Sequence, residues 1–325
     1  MNRKSTLVLA VTFFLVAALQ SCSNSSSQEV RSDNTEIARL LTDDATAQQI
    51  VPQIWIDTTV HTVDQGTAKT NSALGYINPA DYWVEVVSHS RGFTFRDSCS
   101  ADSLSTTDPC ASIPLETGGR AKAKIAQVTD TIECIYHILV REGDSVRTVT
   151  KPNIRVLGTT WVLAAQMGIS DAHYNGWAIY ATGRQRQAEN YVGSLPKLDS
   201  IMIRPQSGDF TYYPRASVHY RPIVSFPEIE PGETFSVYVY TSPRYSGGDL
   251  FYEAYLHQMQ NGVFKHERVG TDIGERLVFQ ATESSGLSSG DYSQIVLELF
   301  PFSTLRDDSP AAFGTSLFAI TYQIE

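Results

Sequence analysis

From Ile50 onward the apolar residues fall in short runs that alternate with polar ones, and clusters of Gly, Pro, Asn, Asp and Ser separate the runs. A period of two places alternate side chains on one buried face, so the pattern predicts antiparallel strands packed as sandwiches or barrels. In "TIECIYHILV", Ile132, Cys134, Tyr136, Ile138 and Val140 share a face, which makes Cys134 a core thiol. In "SLFAITYQIE", Phe318, Ile320, Tyr322 and Ile324 do the same. Helix is scarce. The best candidates are Glu36 to Gln49 and a short piece around Arg184 to Tyr191.

Asn261-Gly262, between "YEAYLHQMQ" and "VFKHERV", predicts a two-residue hairpin turn, because both of its positions need positive φ. The turn sets Gln260 opposite Val263, Met259 opposite Phe264, His257 opposite His266 and Tyr255 opposite Arg268. Two facing histidines are candidate metal ligands, but two ligands do not make a site. Glu253 lies four residues from His257, about 13 Å along a strand, too far to complete one. Packing on a half-buried face is the plainer expectation for the pair.

The 325 residues are enough for two domains of ordinary size. "INPADYWVEVVSHS" and "IEPGETFSVYVYTS" share Ile-x-Pro, an acid, an aromatic and a sheet run. "GTTWVLA" with "GTSLFAI" and "TDTIECIYHILV" with "SGDYSQIVLELF" match more weakly, in the same order along the chain. The expected fold is therefore mainly β: two tandem antiparallel β-sandwich units, Ig-like or transthyretin-like, with little helix. The first would span residues 36–166 and the second, with a connecting segment, 167–325.

The start of the chain has a different character. Asn2-Arg3-Lys4 is followed by an uncharged stretch from Leu7 to Leu19, the length of a signal-peptide core and short for a membrane span. Leu19-Gln20-Ser21-Cys22 resembles the lipobox of bacterial lipoproteins, although Gln20 stands where a small residue is usual. The resemblance implies a signal peptide over residues 1–21, cleavage before Cys22 and acylation of Cys22 as the lipid anchor. Two or three acyl chains give a stable anchor at about 0.8 kcal/mol per buried methylene. Residues 22–35, rich in Ser and Asn, would form a flexible tether. The implied location is the cell envelope, anchored to the outer membrane, with the periplasmic and surface sides both open.

An exported chain meets oxidising conditions, so Cys99 and Cys110, closing a Ser/Thr/Asp-rich loop, form a plausible disulfide. No cysteine spacing suits a structural metal, and no cofactor is implied. The net charge is −10 with scattered Lys and Arg, which excludes nucleic acid as a partner and makes protein or glycan partners the better fit.

Ser288 in "GLSSG" matches the letters of a nucleophile elbow, but the strand-like "DYSQIVLELF" follows where a helix is required. "FTYYPRASVHYRP" concentrates aromatics, among them Tyr212, Tyr213 and Tyr220; together with Trp55, Trp83, Trp161 and Trp177 they are core residues first and ligand platforms second. The chain reads as more a binding protein than an enzyme, with no catalytic residue to name. Its leader and domain plan loosely resemble fimbrillin-like surface lipoproteins of Gram-negative bacteria, which implies an adhesive or assembly role. A glycan-binding lipoprotein of a nutrient-uptake complex and a carboxylate-based hydrolase are the alternatives; exposed aromatic rings beside polar groups would favour the former.

Overall fold

The computed structural model describes residues 32–52, 60–62, 79–97, 122–167, 173–183, 186–190, 197–213, 220–242, 252–260, 263–268, 277–309 and 314–325. Its first half contains α1 (Asp33–Asp43), α2 (Ala45–Ile50), β1 (His61–Thr62), β2 (Pro79–Asp97), β3 (Ala123–Glu142), β4 (Ser145–Gln166), β5 (Trp177–Thr182) and β6 (Arg186–Asn190). The second half adds β7 (Lys197–Arg204), β8 (Phe210–Tyr212), β9 (Arg221–Pro222), β10 (Glu228–Ile229), β11 (Thr234–Ser242), β12 (Tyr252–Gln260) and β13 (Val263–Arg268). The chain ends with β14 (Leu277–Thr282), β15 (Tyr292–Pro301), α3 (Phe302–Arg306) and β16 (Thr315–Ile324). The fold is mainly β, antiparallel and of sandwich type, as the alternation predicts.

Twelve strands form one sheet along the path β1-β2-β3-β4-β6-β16-β15-β12-β13, with β5, β9 and β10 attached beside it. A second sheet runs β14-β11-β7-β8. β4 ends at Gln166, the expected boundary between two units. The strands on either side of that point join through β6, which pairs with both β4 and β16.

β12, β15 and β16 are covered on both faces. Leu256, Leu297, Phe318, Ile320, Tyr322 and Ile324 pack with Ile201, Val237 and Phe279 of the four-stranded sheet. On the opposite face Tyr255, Val296, Leu317 and Ala319 pack with Tyr82, Ile132, Cys134, Tyr136 and Ile138 of the β2–β3–β4 meander. Full burial of each large apolar side chain contributes about 1.5–3 kcal/mol, so the middle layer is the main stabilising element.

β3 alternates from Ala126 to Val140, with its even-numbered residues buried. β2 and β4 carry irregularities at Val86/Ser88 and opposite Cys134/Tyr136. An extra residue reverses the parity of a strand. Hence Tyr82 and Val84 face inward before the shift, whereas Arg91 and Phe93 do so after it.

The sequence's first helix is two helices. Asp44 breaks it and caps α2, its carboxylate accepting from the Ala47 N–H at 2.9 Å. Ile37, Leu40, Leu41 and Ile50 then close the meander's inner face at Ala126, Val128 and Val162. The helix expected at Arg184 to Tyr191 is instead β6 over 186–190, a strand whose backbone is bonded by neighbours on both sides. Helical propensity is a weak prior against two ladders of long-range hydrogen bonds.

Candidate functional site

The hairpin register is the one Asn261-Gly262 dictates: Tyr255 opposite Arg268, His257 opposite His266, Met259 opposite Phe264 and Gln260 opposite Val263. His257 reaches across to the neighbouring strand. Its Nε2 lies 2.9 Å from Oε2 of Glu298 on β15, and both residues are buried between the meander and the middle layer. Among the described residues, no group of three His, Cys, Asp or Glu is placed to hold a metal ion.

Glu298 is the centre of this polar seam. Thr315 Oγ1 donates to its Oε1 at 2.8 Å, and the Tyr136 hydroxyl donates to the same oxygen at 3.5 Å. A buried carboxylate costs several kcal/mol unless protein donors replace its water, and these groups supply that replacement. Burial, then the Glu298 charge, pushes the Cys134 thiol up to about 12 and holds the Tyr136 phenol well above its ordinary value. Cys134 is free, buried and inert, as the sequence face implies.

Lys151 is fully buried and sits opposite Tyr136 in the β3–β4 register. Burial lowers its ammonium to about 8, while the carboxylates of Asp307 and Asp308 pull the other way. Two more buried acids hold turns. Glu233 accepts from the backbone N–H groups of Gln206 and Glu230, and Glu283 accepts from the Ser285 N–H and the Tyr322 hydroxyl. Such uses of carboxylates fix loops to strands.

The sequence-derived candidates take different places. Tyr212 is buried beneath the Arg221 guanidinium, whose Cζ is 4.6 Å from the ring centroid, whereas neighbouring Tyr213 is 63 % exposed. Trp177 is buried in the core under α1 and α2. Trp83 is stacked on His137 at 5.0 Å between centroids, and Glu85 Oε2 lies 3.2 Å from that imidazole. Ser288 is exposed in the loop before β15, so the strand expected after it is the element found. Cys22, Cys99, Cys110 and Trp55 lie outside the described residues, as do the side chain of His266 and the proposed disulfide.

The outer face of the meander is the other candidate. Thr94, Gln127 and Trp161 stand in one register row across β2, β3 and β4, next to the row of Arg96, Ile125 and Leu163. The Arg96 guanidinium lies 5.2 Å from the Trp161 ring centroid. Tyr180 and Tyr220, both half-buried, pack beside these rows on Ala123, Leu163, Ala165 and Ala181. Burial raises the Tyr220 phenol to about 12, with nearby Arg96 opposing the rise. The aromatic content at Tyr220 and Trp161 is visible in the sequence. Their meeting with Tyr180 and Arg96 is not, because it depends on β5 folding back along β4.

The chain matches no family model, and no curated protein is significantly similar to it.

Proposed function

We propose that the protein is a lipid-anchored component of a bacterial cell envelope, attached through Cys22, that acts by binding or assembly and not by catalysis. The observation that carries the reading is Leu19-Gln20-Ser21-Cys22 at the end of a signal-length apolar stretch. α1 begins at Asp33, N-capped by Ser32, only ten residues after Cys22. Ten residues span at most about 36 Å, so an anchored body stays close to its bilayer.

The binding part of the reading draws on the acids. Glu233, Glu283 and Glu298 are buried, and turn N–H groups, hydroxyls and an imidazole occupy their oxygens. Carboxylates used in that way serve the fold. The surface they support is a broad, rigid set of sheets, suited to holding a partner.

The test is expression of the full chain and its Cys22→Ala variant in a Gram-negative host, with fractionation and in-cell crosslinking. Wild-type chain in the membrane fraction, soluble Cys22→Ala chain and crosslinks to an envelope component are expected. A variant that still sediments with membranes would overturn the anchor, and a wild-type chain that forms no crosslink and retains no envelope polysaccharide on purification would overturn the binding role.

A further inference from the structure

We infer that the outer face of the β2–β3–β4 meander binds a neutral polysaccharide chain. The inference rests on the reading of the protein as a binding protein and names its partner. Four register rows, from Ser90–Thr131–Leu157 to Arg96–Ile125–Leu163, span about 20 Å by about 10 Å, open along their length except at Leu163, which is buried in the cluster that Tyr180 and Tyr220 pack against.

The first argument is hydrogen-bond complementarity. Ser90, Thr94, Thr129, Thr131 and Thr159 present hydroxyls and Gln127 a carboxamide, none of them fully buried. Each hydroxyl both donates and accepts. A row of groups with both capacities suits a chain of sugar hydroxyls, which likewise donate and accept. It does not suit a phosphate or carboxylate polymer, which needs cations.

Charge gives the second argument. Within these four rows Arg96 is the only charged residue; Glu133 and Arg155 stand in the adjoining row and Glu189 of β6 pairs with Leu157, so charges of both signs lie at the margin and none but Arg96 inside it. An uncharged ligand pays the least desolvation there.

The third argument is shape. Gly92 stands exposed in the row between Ser90 and Thr94, and a Cβ built on it meets only Thr129 O at 4.0 Å. A glycine inside a strand marks a place where a ligand or backbone comes close. Its missing side chain leaves a shallow saddle over Thr129 and Thr159. At one end of the saddle Trp161, one face of which stacks with the Arg96 guanidinium, and the half-buried rings of Tyr180 and Tyr220 offer apolar surface for the C–H groups of a pyranose, and Leu157, 47 % exposed, lies toward the other.

The test is titration calorimetry of the full chain in detergent with dextran, galactomannan and mixed-linkage β-glucan, and with polygalacturonate as the charged control. The expected result is binding to at least one neutral polymer and none to polygalacturonate. Trp161→Ala should weaken that binding at least tenfold. Because Trp161→Ala removes packed area, Gly92→Ile is the second variant: it places a β-favouring side chain in open space, keeps the thermal midpoint and obstructs the saddle, again with at least tenfold loss. Binding only to polygalacturonate, binding to no polymer, or neutral-polymer binding that Gly92→Ile retains would overturn the inference. In-cell crosslinks to an envelope protein alongside any of these results would leave the binding role standing and remove the glycan.

Discussion

Arg91 and Asp130 face each other in register across β2 and β3, and the guanidinium grips the carboxylate through Nε to Oδ1 at 2.8 Å and Nη2 to Oδ2 at 2.9 Å. The same guanidinium donates to the carbonyls of Val51 at 3.1 Å and Pro52 at 2.8 Å, which follow α2. One buried side chain thus fastens the helical cap to the meander. A forked, planar cation is needed, since a lysine ammonium cannot reach all four oxygens with that geometry.

Arg91→Ala removes a charged donor from four acceptors and leaves the buried Asp130 carboxylate beside His89, whose Nε2 lies 3.3 Å from Oδ1. Breaking a buried pair by removing one partner costs about 3–5 kcal/mol. Urea unfolding should show a loss of that order for Arg91→Ala and a smaller one for Arg91→Lys. Equal losses for the two variants would show that charge alone, and not the fork, holds the cap.

Glu298 collects the imidazole of His257 and the hydroxyls of Thr315 and Tyr136. Glu298→Leu removes this acceptor from all three groups and should cost about 3 kcal/mol or more. Thr315→Val removes one neutral donor and should cost about 1 kcal/mol. The double variant should lose less than the sum by at least about 0.5 kcal/mol, because the two share one hydrogen bond. Strict additivity in denaturant titrations would show that Thr315 and Glu298 do not act together.

Lys151 gives a pH signature. Its folded-state value of about 8 lies below the ordinary 10.5, so between those pH values the unfolded chain holds a proton that the folded chain has released. Stability from this group therefore rises with pH across that window and is least below 8. The stability of the wild type relative to Lys151→Met should increase from pH 8 to pH 10. A flat difference would contradict the assignment of Lys151 to a desolvated site.

Cys134 has the opposite sign. A thiol pushed up to about 12 stays protonated in the fold after the unfolded chain ionises near 9, so its contribution is present below pH 9 and is lost as pH rises toward 12. At pH 8 iodoacetamide should leave the peptide carrying Cys134 unlabelled in the native protein and label it in urea, as read by mass spectrometry. Native labelling at the denatured rate would show the thiol to be reachable.

The long strands, the core face of β3 and the hairpin register were legible because each depends on residues close in sequence: alternation needs a few positions and a turn needs two. The partner of His257 was not. Glu253, on the same strand, is too distant, and Glu298 arrives from β15 through pairing that no local signal encodes. The parity shifts in β2 and β4 hid Arg91 and Lys151 for a related reason, since an inserted residue turns a polar side chain inward without changing the composition around it. On the outer face the rings and hydroxyls could be counted from the sequence, but their convergence depends on three long strands lying in register. The proposed lipid anchor is the reverse case, since the proposal rests on a short local motif and not on the fold.

The most direct test of the account is the mass of the peptide from Cys22 to Arg31, released by trypsin from membranes of cells expressing the full chain. The expected peptide has a new amino terminus at Cys22, its sulfur joined by a thioether to a glyceryl group that carries two ester-linked acyl chains, with or without a third acyl chain on its nitrogen. A peptide with an unmodified Cys22 thiol, or one that continues upstream through Ser21, would contradict it.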